Sequence, residues 1–144
     1  MNQYNIIDFE ERYFDNLNVF WNNTGLGGSH RGDSLQIILD TINSGGHLLL
    51  MINEQDEIIG SSWLTNDRRR SYLHHFGIRE DLRGRGLSNV LLERTLELAR
   101  KDGYQIKLEV HSKNESALAL YKKYGFNDLG DYKVMIIRDI TSIS

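Results

Sequence analysis

Three strand-like runs follow one another with only short polar turns between them, and this stretch limits the fold more than any other. His47 to Asn53, Glu57 to Thr65 and Ser71 to Ile78 are rich in apolar and β-forming residues; Glu54-Gln55-Asp56 and Asn66 to Arg70 separate them. Connections this short join antiparallel neighbours, so the runs predict a meander. Beyond Ile78 come a glycine-rich turn, a helical stretch from Leu87 to Lys101, and a further strand from Gln105 to His111. A strand–helix–strand passage of that length makes a parallel crossover. A meander feeding a βαβ unit gives an α/β domain with a mixed, mostly antiparallel sheet and helices on both faces. The helix from Leu87 is apolar on more than one side (Leu87, Val90, Leu91, Leu92, Leu96, Leu98, Ala99), which predicts deep burial.

Upstream, Tyr4 to Asp8 alternates weakly and is a candidate first strand. Asp8 with Glu11 reads as a capping box for a helix carrying Tyr13, Phe14, Leu17 and Trp21. Thr24 to Gly32 holds four glycines and predicts a loop. Asp33 with Gln36 marks the next helix start, followed by the stripe Leu35, Ile38, Leu39, Ile42 and closed by Gly45-Gly46. Downstream, Ser112 with Glu115 forms another capping box, for a helix running to about Tyr124 with Gly125 as its stop. Phe126 to Leu129 and Lys133 to Arg138 are expected as closing strands.

A chain of 144 residues without linker, repeat or low-complexity segment reads as one domain over 1–144. It has no cysteine, which removes disulfides, thiolate metal sites and a cysteine acyl-enzyme. No apolar run approaches the roughly 20 residues that span a bilayer, and the N-terminus has neither the basic nor the apolar region of a secretion signal. The expectation is a cytoplasmic protein with no membrane partner. A net charge of −3 argues against a nucleic-acid partner. Arg68-Arg69-Arg70 reads as a solvated hairpin tip, and Arg31-Gly32-Asp33 as a loop ending in a helix cap.

Between strand and helix lies Arg83-Gly84-Arg85-Gly86-Leu87-Ser88. Glycines there let backbone N–H groups close on an oxyanion, and the helix start adds a positive dipole end. The loop is not a P-loop, since no Gly-Lys-Ser/Thr follows. Nor is it a dinucleotide fingerprint, since Asn89 stands where the third glycine would fall.

A second motif narrows the reading. Phe76-Gly77-Ile78, the Arg83–Ser88 loop, Glu109-Val110-His111-Ser112-Lys113-Asn114, Ala117, Leu120-Tyr121 and Gly125-Phe126 together closely resemble the GNAT family of acyl-CoA-dependent N-acyltransferases. The resemblance runs over about Leu48 to Arg138. Of the family's loop pattern, Gln/Arg-x-x-Gly-x-Gly/Ala, Arg83 and Gly86 match and Ser88 takes the last place. The resemblance implies acetyl-CoA as co-substrate, with the N–H groups of Arg83, Gly84, Arg85, Gly86, Leu87 and Ser88 on its pyrophosphate. The backbone of Phe76, Gly77 and Ile78 would then pair with the pantetheine arm and hold the thioester carbonyl. Asn114 would fix the pantetheine side, and Tyr121 would lie near the sulfur and protonate the leaving thiolate. The implied reaction is direct acetyl transfer to a primary amine, small molecule or peptide, in a ternary complex. A non-catalytic acyl-CoA sensor on the same fold is the alternative. A homodimer also enters consideration, with no interface marked in the sequence.

The general base is open among His74, Glu80, Glu109, His111 and water. His74 leads, because in a regular strand it shares a face with Phe76 and Ile78 and its ordinary pKa suits the task. His74 and His75 would point to opposite faces of such a strand, which argues against one metal ion between them.

Overall fold

In the computed structural model, which describes residues 3–143, the meander takes in the N-terminal strand as well. β1 (Tyr4–Asp8), β2 (His47–Asn53), β3 (Ile58–Asn66) and β4 (Arg70–Ile78) pair antiparallel in chain order. β5 (Gln105–Leu108) joins β4 in parallel, from Arg70↔Gln105 to Leu73↔Leu108. The sheet is mixed and mostly antiparallel, as the patterning predicts. β2 and β3 are buried along most of their length because helices cover both faces.

On one face lie α1 (Phe14–Thr24) and α2 (Leu35–Asn43), which bring Leu17, Phe20, Trp21 and Ile38 against Leu48, Leu50 and Trp63. Trp21 and Trp63 stack with centroids 5.5 Å apart. Their indole N–H groups donate to Ser61 Oγ at 2.9 Å and Thr41 Oγ1 at 3.0 Å, so neither is left dry. On the other face α3 (Leu87–Asp102) packs Leu87 and Leu91 against Leu49, Met51, Ile59 and Ile78. Val90 is exposed, so burial of α3 is one-sided there.

The helix starts differ from their sequence signatures. Asp8 is held in the ladder opposite Leu49, and Phe9 N–H extends the pairing to Leu48 O. A 3₁₀ turn, Glu11–Tyr13, leads into α1 in place of a capping box. Ser34, not Asp33, caps α2 by accepting from Ile37 N–H, because the Asp33 carboxylate is taken by Gly28 N–H and His75.

A first unit ends at His111 and a second begins at Ser112. The second holds α4 (Glu115–Lys123), capped by Asn114 rather than Ser112: Asn114 Oδ1 accepts from Ala117 N–H at 3.3 Å. The expected closing strands are absent, since residues 126–139 carry no strand pairing. A turn at Leu129–Tyr132 interrupts them, and Leu129, Val134, Met135, Ile136 and Ile137 stay exposed. A run of apolar residues makes a strand only where its backbone finds a ladder partner. β5 is likewise shorter than expected, stopping at Leu108 rather than His111.

Ser71 Oγ in β4 is fully buried and has no partner among the described residues. Ser71→Ala is expected to stabilise the protein by about 1 kcal/mol, read as a higher urea midpoint at unchanged slope.

Candidate functional site: a bulged strand and a glycine loop

β4 runs straight into the glycine loop through the turn Glu80–Leu82. Gly84 and Gly86 both sit at φ 80°, in the left-handed region that a residue with a β-carbon avoids. Gly86 is the N-cap of α3, and no side chain caps that helix start. The first-turn N–H groups of a 16-residue helix therefore meet a loop carrying Arg83 and Arg85. Such an arrangement fits a phosphate by charge and by donor geometry. Arg83 Nε donates to Ile78 O at 3.3 Å and ties the loop to the strand end.

β4 is not a regular strand. Ser61 pairs with Gly77 and Trp63 with His74, so Ser62 alone faces both His75 and Phe76. This is a β-bulge, and His75 takes up the extra residue at φ 47°. The bulge overturns two expectations at once. His74 does not share a face with Phe76 and Ile78: its ring lies 6.1 Å from Trp63 in the α1–α2 layer, whereas Phe76 and Ile78 pack in the α3 layer. Nor do the adjacent histidines point to opposite faces, for both rings reach Trp63 and lie 6.3 Å apart. Each Nε2 is engaged, His74 with Thr65 Oγ1 at 2.9 Å and His75 with Asp33 Oδ2 at 2.7 Å. Among the described residues no group of three His, Asp or Glu side chains is placed to hold a metal ion.

β4 and β5 part at the same level. Their ladder ends at Leu73↔Leu108, just before the bulge, so the β5-side edge of Phe76–Ile78 lies outside it. Glu109 stands where β5 has ended, exposed and close to the Tyr72 hydroxyl. Burial first, and then Glu109, pushes the Tyr72 hydroxyl well above its ordinary value. The Tyr72 ring stacks on His74 at 4.4 Å, with the Lys107 ammonium 5.4 Å from its centroid. Nothing in the sequence pattern marked Tyr72 beyond its place two residues before His74. Glu80 is exposed at an open hollow lined also by Asn23, Thr24, Arg79 and Asp81, where Arg79 is occupied by Asp81 at 2.7 Å. His111 is exposed. Arg68–Arg70 form a turn held by Asp67 Oδ1, with Arg70 Nη1 donating to Gln105.

Desolvation, and then His75, depress His74 to about 4. The unfolded chain, with His74 near 6.5, binds a proton that the native state refuses between those values, so stability falls as pH drops from 6.5 toward 4. His74→Gln is expected to lose less melting temperature than the parent over that interval, read by calorimetric scans at successive pH.

In the second unit Tyr121 is 8% exposed and packs edge-on to Phe126 at 5.5 Å. Burial pushes its hydroxyl up to about 12. Asn114 spends its Oδ1 on the α4 cap, with Nδ2 outside that bond. No helix among the described residues is long and apolar enough to cross a membrane.

A mixed sheet whose fourth strand is bulged and opens into a phosphate-type loop at a helix start defines an α/β protein built to hold a phosphate-bearing ligand. Residues 34–135 match the family model of the acetyltransferase (GNAT) domain, and the chain belongs to that family. It is similar to the uncharacterized N-acetyltransferase YdgE of Bacillus subtilis, 35% identical over 79 residues, 51% of this chain and 50% of that one. The chain thus spans about half the length of that relative. Among solved structures it resembles a GNAT-family acetyltransferase of Staphylococcus aureus Mu50, with TM-score 0.76, 25% identity, and 90% and 89% of the two chains covered. Naa50 of Arabidopsis thaliana, solved with the bisubstrate analogue CoA-Ac-MVNAL, shares the fold at TM-score 0.72 and 20% identity, over 87% and 83% of the chains.

Proposed function

We propose that this protein transfers an acetyl group from acetyl-CoA to a primary amine, directly and within a ternary complex, with 1–144 acting as one acetyltransferase domain. The observation that carries the reading is the loop at α3: two left-handed glycines and an uncapped helix start, flanked by Arg83 and Arg85. The N–H groups of Gly84 to Ser88 bind the pyrophosphate; the Arg83 N–H, expected among them from the sequence, is already donated to Glu80 O at 3.3 Å. The backbone edge of Phe76, Gly77 and Ile78, outside the β4–β5 ladder, takes the pantetheine arm and donates to the thioester oxygen. Acetyl-CoA supplies an acyl group activated as a thioester. Asn114 holds the arm through Nδ2, and Tyr121 gives its proton to the departing sulfur. The acetyl-peptide portion of the Naa50 ligand makes an N-terminal peptide amine one acceptor to try first.

The base is the point at which geometry redirects the sequence reading. His74 has its Nε2 on Thr65 and its ring between Tyr72 and Trp63, so an incoming amine has little access to it. Glu109 is exposed beside the open strand edge, close to the Tyr72 hydroxyl, and takes the ammonium proton directly or through water. Glu109→Gln is expected to lower kcat roughly tenfold and His74→Gln to leave it near the parent's; the reverse result returns the role to His74.

The primary test is calorimetric titration with acetyl-CoA, with ATP and NAD as controls, followed by thiol-release assays over an amine panel that includes short peptides. Saturable binding of acetyl-CoA alone, with intersecting double-reciprocal plots, is the expected outcome. Parallel lines would replace direct transfer by an acyl-enzyme route, and binding without turnover would favour the sensor reading.

A further inference from the structure

We infer that Asp33 and His75 form a positioning pair, which locks the β4 bulge and so aims the backbone of Phe76–Ile78. The inference rests on the role proposed above for that backbone. Without restraint, a residue with a β-carbon avoids the left-handed region. A strand free to relax would let Ser62 oppose one residue only, which would turn every later side chain of β4 to the opposite face. At φ 47° His75 resists that relaxation, and its contacts explain how.

Its Nε2 lies 2.7 Å from Asp33 Oδ2, and the same oxygen accepts Gly28 N–H at 2.8 Å. Its carbonyl accepts from Ser61 Oγ at 2.7 Å, and Ser61 in turn accepts from the Trp21 indole. The imidazole stands edge-on to Trp21 at 4.7 Å and to Trp63 at 5.3 Å. Gly27 passes so close that a β-carbon there would overlap both His75 Nε2 and Asp33 Oδ2. Side chain and carbonyl of one residue are thus gripped from different elements. The grip reaches 42 residues back, to the loop between α1 and α2. The carboxylate also fixes the tautomer, because it can only accept and His75 Nε2 must carry the proton. None of these groups belongs to the Arg83–Ser88 loop. Loss of the pair therefore leaves the pyrophosphate contacts of the loop in place and, through the misaimed backbone, costs turnover more than it costs donor affinity.

The experiment compares the parent with Asp33→Ala, His75→Gly and Asp33→Asn. Glycine accepts the left-handed backbone, so His75→Gly removes the ring without forcing the strand and guards against a folding failure in Asp33→Ala. Asparagine keeps an acceptor in place as the conservative rescue. Three readouts are taken: acetyl-CoA affinity by calorimetry, kcat with the best amine of the panel, and the amide NMR shifts of Phe76, Gly77 and Ile78 without ligand. Asp33→Ala and His75→Gly are expected to displace those amide shifts and to lower kcat roughly tenfold, with affinity within about threefold of the parent; Asp33→Asn recovers most of the rate. Unchanged kcat in both disrupted variants overturns the inference. So does a rate loss matched by an equal loss of affinity and of the folded state, which marks a merely structural pair. A parent protein that binds no acetyl-CoA overturns the functional reading instead. In that case the amide shifts still decide whether the pair holds the bulge: displaced shifts support that hold and unmoved shifts overturn it.

Discussion

Tyr121→Phe is expected to lower kcat roughly 100-fold while the dissociation constant for acetyl-CoA stays within about threefold. At about 12, the Tyr121 hydroxyl keeps its proton across the physiological range. A departing alkyl thiolate has a proton affinity near that of cysteine, about 8.5. Full transfer from an acid at 12 to a thiolate near 8.5 is uphill throughout, so the proton moves late, through a hydrogen bond that strengthens as charge builds on the sulfur and contributes to kcat rather than to ground-state binding. The substitution keeps the edge-on packing against Phe126, which separates loss of the hydroxyl from loss of the core. Single-turnover measurement with saturating donor checks it. An unchanged rate would move the acid elsewhere.

Gly86→Val is expected to raise the acetyl-CoA dissociation constant roughly 30-fold, equivalent to about 2 kcal/mol, with little change in melting temperature. A β-carbon at this glycine meets no heavy atom within 4 Å, so crowding is not the reason. The cause is the backbone: at φ 80° a β-branched residue is strained, and relief swings the N–H groups of Leu87 and Ser88 away from the position an anion needs. Gly86→Ala should fall between parent and valine. Calorimetry at fixed ionic strength reads the affinity, and a scan of the apo protein reads the fold. Equal affinity in all three would mean that the loop serves only as a turn.

The sheet was legible because β2, β3 and β4 carry their apolar patterns in short runs with polar turns between, and because Leu87 to Asp102 has a helix's period. The loop from Arg83 to Ser88 was legible for the same local reason: its glycines sit between a strand and a helix. What the patterns hid is held together over long distances. The bulge depends on Asp33, far back in the chain, and no two-residue period announces it. That one irregularity moved His74 to the α1–α2 layer and brought its ring against Thr65 and Tyr72. Asp33 looked like a helix cap, but Ser34 can replace it in that task, which leaves the carboxylate for His75. Tyr72 and Glu109 meet only because β4 and β5 are neighbours through the parallel crossover. The run from Lys133 to Arg138 shows the opposite failure: strong strand patterning in a segment that has no ladder.

Strand order that follows chain order has a kinetic consequence. The β2–β3 and β3–β4 pairings each need only a tight turn, whereas β1 is separated from β2 by α1 and α2, and β5 from β4 by α3. With only four paired residues, β5 is the part of the sheet expected to open first in native-state hydrogen exchange, and α3 with it. The proposed anion loop is the hinge of that opening unit. A donor bound there would raise protection throughout α3 and β5 while leaving β2 and β3 at their global value, so the ligand would act as the clasp on the most thinly paired part of the sheet.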